Sequence, residues 1–332
     1  MTSLSRREFG KTVAKGALGG LAVGSVAPLA AQTGSSSMKR MSTVFREMMK
    51  SPGVIDSPGV YDVISAKIAE MVGFRAVGLS GNATGVSLNI PEPILTLEDV
   101  AEVTRRITAA VNIPMIVDAG AGYGEPAHVV HTVQLLEHAG AAGIHIEDQI
   151  YPKRFHYHMG VEHTIPPEVM IEKIRCAAQA RRDPDFVIVA RTDAMRTDNF
   201  AEGVRRANLY AEAGADMIQL FPNTVEEAKQ TPKEVSAPLN YVNSEGKPSQ
   251  LVRPVFSLQE LEAMGGYKML NHPTGAILAT YKAIKDMLVH LKQTGSSGLD
   301  PDVYADVRKE IEDKMLGLPA YYRIENETTE KA

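Results

Sequence analysis

Short apolar runs without polar alternation take turns along this chain with longer stretches whose apolar positions recur every three to four residues. The runs predict strands at Val54–Tyr61, Ala76–Ser80, Pro114–Asp118, Gly143–Asp148, Phe186–Asp193, Met217–Phe221, Pro238–Val242 and Tyr267–His272. A strand of a parallel sheet is covered on both faces and so shows no polar period. Between them the helical period predicts amphipathic helices at Val63–Val72, Leu97–Ala110, Ala127–Ala139, Pro167–Arg181, Ala201–Ala213, Val225–Gln230, Leu258–Met264 and Gly275–Lys292. Gly73, Gly140 and Gly214 each follow a helical stretch and suit the left-handed residue that ends a helix. Thr96 suits the N-cap of the stretch after it. Eight strand–helix units in about 250 residues match a closed (β/α)8 TIM barrel of the α/β class. An open doubly wound sheet is the competing arrangement, and the lack of a glycine-rich dinucleotide turn favours closure.

These patterns divide the chain into a barrel at 42–292 and a C-terminal extension at 293–332, helical over Asp302–Leu316. The extension has no place in the barrel wall. It is expected to pack on the barrel, or to pack on or swap with a neighbouring subunit, and a homo-oligomer, a dimer or a tetramer, is expected.

Several runs end in a reactive group. Pro114-Met-Ile-Val-Asp118 and Gly143-Ile-His-Ile-Glu147-Asp148 end in carboxylates, Phe186-Val-Ile-Val-Ala-Arg191 in a guanidinium, and Tyr267-Lys-Met-Leu-Asn-His272 in an imidazole. In a barrel such ends meet at one mouth, where this architecture does its chemistry. Asp118 and Glu147 suit a divalent metal, because Mg²⁺ takes one or two carboxylates and completes its shell with water and substrate. Asp148 must face the other way from Glu147, since strand neighbours alternate. Arg191 suits a substrate carboxylate or an enolate oxygen, or alternatively an ion pair with Asp193. Ser80-Gly81-Asn82 is a turn able to nest a carboxylate, and the glycines of Gly120-Ala-Gly-Tyr-Gly124 allow close backbone approach. The loop of about seventeen residues after Asp148 has the length of a lid. His156, His158 and His163 lie in it at no zinc-motif spacing, so an acid/base group on the lid is the better reading.

Composition narrows the function classes. The chain has 332 residues, 44% of them hydrophobic, and a formal net charge of −5 with scattered basic residues, which excludes a nucleic-acid footprint. No mature segment is apolar enough to span a bilayer, so no stable membrane association is expected. The single cysteine, Cys176, excludes an internal disulfide and is expected to be a small buried residue of a helix. Ser5-Arg-Arg-Glu-Phe-Gly-Lys11 matches the twin-arginine export pattern, which predicts a signal peptide over 1–31, a linker over 32–41, and a periplasmic or secreted protein.

Beyond these readings, the run from Gly59-Val-Tyr-Asp62 past His272 resembles the isocitrate lyase/phosphoenolpyruvate mutase superfamily. The branch of methylisocitrate lyase, dimethylmalate lyase and oxaloacetate decarboxylase is the most similar. Leu79-Ser-Gly81, Val117-Asp-Ala119 with Gly122-Tyr-Gly124, His145-Ile-Glu-Asp-Gln149, Pro152-Lys-Arg154 and Ala190-Arg-Thr-Asp193 carry the resemblance. It implies an enzyme using Mg²⁺, or Mn²⁺, on a small 2-oxo or 2-hydroxy acid through an enolate. By that likeness Asp118 and Glu147 hold the metal, Ser80, Gly81 and Arg191 hold the substrate carboxylate, and Tyr61 lines the pocket. Asn82, Asp118, Asn243 and His272 complete the expected substrate-binding set, the tip of the seventh strand and the lid setting the substrate's side chain.

The chain also departs from that pattern. Phe155 stands where the lyases carry a proton-transferring cysteine, Gly120 where a second aspartate is usual, Glu92 in place of an aspartate, and Asn223 in place of a glutamate. His272 is the expected replacement proton donor, with His156 and Tyr157 of the lid as the other candidates. The function expected is a Mg²⁺-dependent carbon–carbon lyase, decarboxylation included, acting on a small dicarboxylate. A phosphonomutase or phosphonopyruvate hydrolase, and a non-catalytic periplasmic carboxylate-binding protein, are the alternatives.

Overall fold

The computed structural model describes residues 39–243 and 253–329. The expected export signal at 1–31 and most of the expected linker lie outside the described residues. Eight parallel strands close into a barrel in chain order, each paired with its sequence neighbours and β1 with β8. They are β1 (Ile55–Val60), β2 (Val77–Leu79), β3 (Met115–Asp118), β4 (Gly143–Glu147), β5 (Val187–Arg191), β6 (Met217–Gln219), β7 (Leu239–Val242) and β8 (Tyr267–His272). Every strand lies within its predicted run.

The helices of the wall also follow the periodic stretches: α2 (Val63–Val72), α4 (Leu97–Thr108), α5 (Pro126–His138), α6 (Pro167–Ala180), α8 (Phe200–Glu212), α9 (Val225–Glu234) and α10 (Leu258–Met264). Thr96 caps α4 in a capping box, its Oγ1 accepting from the amide of Asp99. Gly73, Gly140 and Gly214 all take positive φ, 106°, 92° and 113°, where only glycine is unstrained. The half-buried Cys176 sits in α6 and is less enclosed than expected.

Three helices of the barrel were not expected, nor was a helix over Leu318–Thr328 in the extension. α1 (Met41–Lys50) lies within what was read as linker and barrel entry. Its Phe45 and Met48 join Ile55, Ile116, Val187, Met217 and Met269 in a cluster that fills the lower barrel lumen. Arg46 anchors α1 to the wall through Asp216 at 2.8 Å and the carbonyl of Asp185 at 3.0 Å. α3 (Gly81–Leu88) and α7 (Ala194–Thr197) follow β2 and β5 directly. Their sequences are too short or too rich in small residues to show a helical period. A larger cluster, with Val100, Leu136, Ile174, Tyr210 and Leu270, fills the layer between sheet and helices.

The C-terminal helices behave differently. α11 (Gly275–Thr294) buries only Ile277, and α12 (Pro301–Glu310) and α13 (Leu318–Thr328) bury nothing. Leu278, Tyr281, Ile284 and Leu288 of α11 and Val303, Val307, Tyr321 and Ile324 beyond it are all exposed. The expectation that the extension packs on its own barrel therefore fails, and α11, counted as wall, is scarcely buried.

Candidate active site

Strand register sets the level of the polar groups at the barrel mouth. Asp118 pairs in register with His145, Glu147 with Arg191, and Arg191 with Gln219. Groups from β3, β4, β5 and β6 thus converge on one cavity of about 260 Å³, whose lining includes Ser80, Asn82, Glu92, Asp118, Tyr157 and Arg191.

Asp118 ends β3 half-buried, and its Oδ1 accepts the amide of Gly120 at 2.9 Å. A Cβ on Gly81 would stand 3.3 Å from Asp118 Oδ2, so the glycine keeps space beside that oxygen. Glu147 is buried, its two oxygens facing Lys153 Nζ and Arg191 Nη1, each at 3.0 Å. Lys153, from the lid, also pairs with Glu92 at 2.5 Å, and its ammonium lies 3.7 Å from the centre of the Tyr157 ring. Arg191 reaches Asp193 Oδ2 at 3.0 Å as well as Glu147, and lies 4.9 Å from the centre of the Phe221 ring. The Arg191–Asp193 ion pair and the cavity-facing guanidinium are therefore both present, and the two readings of Arg191 are compatible.

The electrostatics follow from burial opposed by neighbours. Burial opposes ionisation of Asp118, but Lys153 and Arg191 outweigh it and hold its carboxyl below the usual range. For Glu147 burial wins, and its carboxyl stays above the usual range despite Arg191 and Lys153. Burial works against the charge on Lys153 and Arg191, yet the carboxylates around them keep both firmly cationic. His145, on the cavity floor, is pushed down to about 4 by burial, against the pull of Asp118, and so is neutral at pH 7. Burial, then Glu92, raises the Tyr157 hydroxyl.

The structure brings together Asp118, Glu147, Arg191, Ser80, Asn82 and Tyr157. Ser80 is the N-cap of α3, its Oγ accepting from Ala83 at 3.2 Å, so Gly81 and Asn82 open a helix at the mouth rather than a bare turn. Asp148 points away from the cavity, as alternation requires.

Four expected residues are not brought in. Met269 joins the lumen cluster and Leu270 the outer one, so the pleat of β8 turns Asn271 inward and His272 outward. Asn271 lines the cavity, while His272 Nε2 lies 3.2 Å from Asp56 Oδ1. Tyr61 is buried against Ala83 and Ile277 with its hydroxyl donating to Thr280 at 2.8 Å. Asn243 is spent on the backbone of Phe256, donating to its carbonyl and accepting its amide. His156 is exposed, and its lid neighbours Tyr157 and His158 line the cavity instead. Asn223 is exposed and donates to the carbonyl of Met195.

Sequence reasoning missed Gln219, Phe221 and Arg196 on the cavity wall. Gln219 ends β6 as Arg191 ends β5, so the strand-end rule could have found it. Arg196 lies on α7, paired with Glu162 of the lid and with Asp193 at 3.1 Å, and no linear signal marks it.

The donors fit a hard divalent cation. Among the described residues no group of three or more His, Cys, Asp or Glu closes on a metal position, but Mg²⁺ needs only one or two carboxylates with water. Asp118 and Glu147 offer oxygen alone. Glu92 Oε2 is buried without a hydrogen-bond partner among the described residues, whereas the Glu147 oxygens are ion-paired with Lys153 and Arg191.

The sequence profile of phosphoenolpyruvate phosphomutase matches residues 45–292. The chain belongs to this enzyme family. Within the phosphoenolpyruvate mutase/isocitrate lyase family it is 38% identical to 2-methylisocitrate lyase of Aeropyrum pernix, over 86% of this chain and 87% of that one. The crystal structure of 2,3-dimethylmalate lyase superposes with a TM-score of 0.78 at 29% identity, covering 88% of this chain and 96% of the other. Phosphonopyruvate hydrolase in complex with oxalate and Mg²⁺ superposes at 0.70 and 26% identity, covering 84% and 100%. Family membership and barrel fold agree with the resemblance read from the motifs.

Proposed function

We propose that this enzyme is a Mg²⁺-dependent carbon–carbon lyase, decarboxylation included, acting on a small 2-oxo or 2-hydroxy dicarboxylate through an enolate. One observation carries the reading: Asp118, Glu147 and Arg191 end three consecutive strands at the barrel mouth, Asp118 and Arg191 lining one cavity with Tyr157 of the lid, and Glu147 paired with Arg191. Asp118 and Glu147 would hold the metal, and Mn²⁺ suits the same oxygen donors. Bound there, it would supply Lewis-acid stabilisation of charge on the substrate's C2 oxygen. Arg191, cationic at every accessible pH, neutralises a substrate carboxylate, and the amides opening α3 behind Ser80 add a second anion contact. Lys153 and the lid exclude water. Tyr157, kept protonated by burial, replaces His272 as the group placed to give the carbanion its proton. Oxalate, the ligand of the phosphonopyruvate hydrolase complex, has the shape of such an enolate.

Purified mature protein with Mg²⁺ and a panel of 2-oxo and 2-hydroxy diacids should release pyruvate, glyoxylate or CO₂. Turnover of organophosphonates alone would replace the lyase reading with the mutase or hydrolase one.

Two further proposals concern the whole protein. The exposed apolar positions of α11 to α13 support a homo-oligomer in which the extension is covered by a neighbouring subunit. The Ser5–Lys11 pattern supports twin-arginine export to the periplasm. Arg6→Lys with Arg7→Lys should then leave folded, active protein in the cytoplasm, and undiminished export of that variant would remove the proposal.

A further inference from the structure

Asp148 directly follows Glu147, and the pleat sends it into the layer between the sheet and α8. It is fully buried. Its Oδ2 accepts from Thr192 Oγ1 at 2.8 Å, Tyr210 OH at 2.9 Å and Arg206 Nη1 at 3.1 Å, and its Oδ1 accepts the amide of Asp193 at 3.0 Å. Thr192 and Asp193 are the two residues after Arg191. Asp193 in turn accepts from Arg191 Nη2 and from Gln149 Nε2. A chain of contacts thus runs from α8, through Asp148, to the guanidinium in the cavity.

The same residue grips the lid. The carbonyl of Asp148 accepts the amide of Ile165 at 2.8 Å, and Arg206 Nη1 donates to the carbonyl of Ile165 at 2.8 Å. Gln149 bridges Thr164 beside it. Glu202, one turn before Arg206 on α8, holds Arg206 Nε at 2.8 Å.

Stability alone does not call for this arrangement. Replacing a buried ion pair by apolar side chains of similar volume is often neutral or stabilising, and the neighbours of this group in the layer between sheet and helices are mostly apolar. What the carboxylate achieves is geometry: two backbone segments, the turn after Arg191 and the returning stem of the lid, are held to one rigid helix. We propose that Asp148, with Arg206 and Tyr210, is a positioning residue that fixes the Arg191 turn and the lid stem from outside the barrel wall. The proposal rests on the reading of Arg191 as a ligand of the substrate carboxylate.

The test compares wild type, Asp148→Asn and Tyr210→Phe in two measurements. Hydrogen exchange of the Mg²⁺-free protein reads the amides of Asp193 and Ile165, and calorimetry with Mg²⁺ reads oxalate affinity. Losing a hydrogen bond to a charged group should weaken oxalate about tenfold in Asp148→Asn and about threefold in Tyr210→Phe, with faster exchange at both segments. Tyr210→Phe should leave the Mg²⁺ affinity of the ligand-free protein within about twofold. Should Asp148→Asn not fold, Tyr210→Phe decides. Wild-type exchange at Asp193 and Ile165 alongside a lowered melting temperature would overturn the proposal, because a merely structural residue gives that result. Wild-type protein that binds no oxalate would count against the lyase reading, and the exchange measurement would still decide the brace.

Discussion

Replacing Arg191 by methionine removes a charge and keeps most of the volume. Arg191 is 6% exposed and faces two carboxylates that are also buried, Glu147 at 1% and Asp193 at 0%. Breaking a buried ion pair by deleting one partner costs about 3–5 kcal/mol, because the other charge is left uncompensated. Lys153 still faces Glu147, and Arg196 and Gln149 still hold Asp193, which places the loss near about 3 kcal/mol. The loss should depend on pH. Burial already holds the Glu147 carboxyl above its ordinary value of 4.5, and losing Arg191 lifts it further. Burial also opposes ionisation of Asp193, but Arg191 first and then Arg196 keep its carboxyl far below the usual range, and Arg196 and Gln149 remain in the variant, so the pH dependence comes from Glu147. A raised carboxyl binds protons more tightly in the folded state, so the variant's stability falls as pH rises through the folded value and recovers as pH drops toward the unfolded one. Urea unfolding at fixed protein concentration, at pH 8 and pH 5.5, measures both effects. A deficit below about 1 kcal/mol, or one that does not shrink at the lower pH, would refute the reasoning.

Asp118→Ala should abolish turnover together with Mg²⁺-dependent thermal stabilisation while leaving the circular dichroism spectrum unchanged; full turnover in EDTA would sink the metal assignment. Tyr157→Phe should lower kcat by about a hundredfold or more, as expected for a lost general acid, whereas His272→Gln should stay close to wild type, and the reverse pattern would return the proton donor to β8. Phe45→Ala, at the base of the lumen, should cost about 3–5 kcal/mol in urea unfolding, and a loss under about 1 kcal/mol would mean that α1 does not plug the barrel.

Much of the site was legible because strand ends in a barrel share a level. Asp118, Glu147 and Arg191 each stop an apolar run, and the structure sets Asp118 and Arg191 on one cavity with Glu147 paired to Arg191. Where the sequence misled, side-chain direction was the cause. Asn271 and His272 both end the β8 run and look equally placed, yet only the inward one reaches the cavity. Tyr61 and Asn243 likewise follow strands on which cavity-lining residues lie, but their polar atoms are taken by Thr280 and by the Phe256 backbone.

By itself the sequence determined the eight-unit barrel, its helix caps and the carboxylate–guanidinium chemistry of its mouth, because periodicity, capping and strand-end identity are local properties of neighbouring residues. Only the tertiary structure decided which strand-end groups face the axis, how Lys153 and Arg196 from distant loops join them, and that α1 closes the barrel below. Those depend on register, pleat and the meeting of segments far apart in the chain, and a lysine in a lid does not show in its own neighbourhood that it will lie between Glu92 and Glu147.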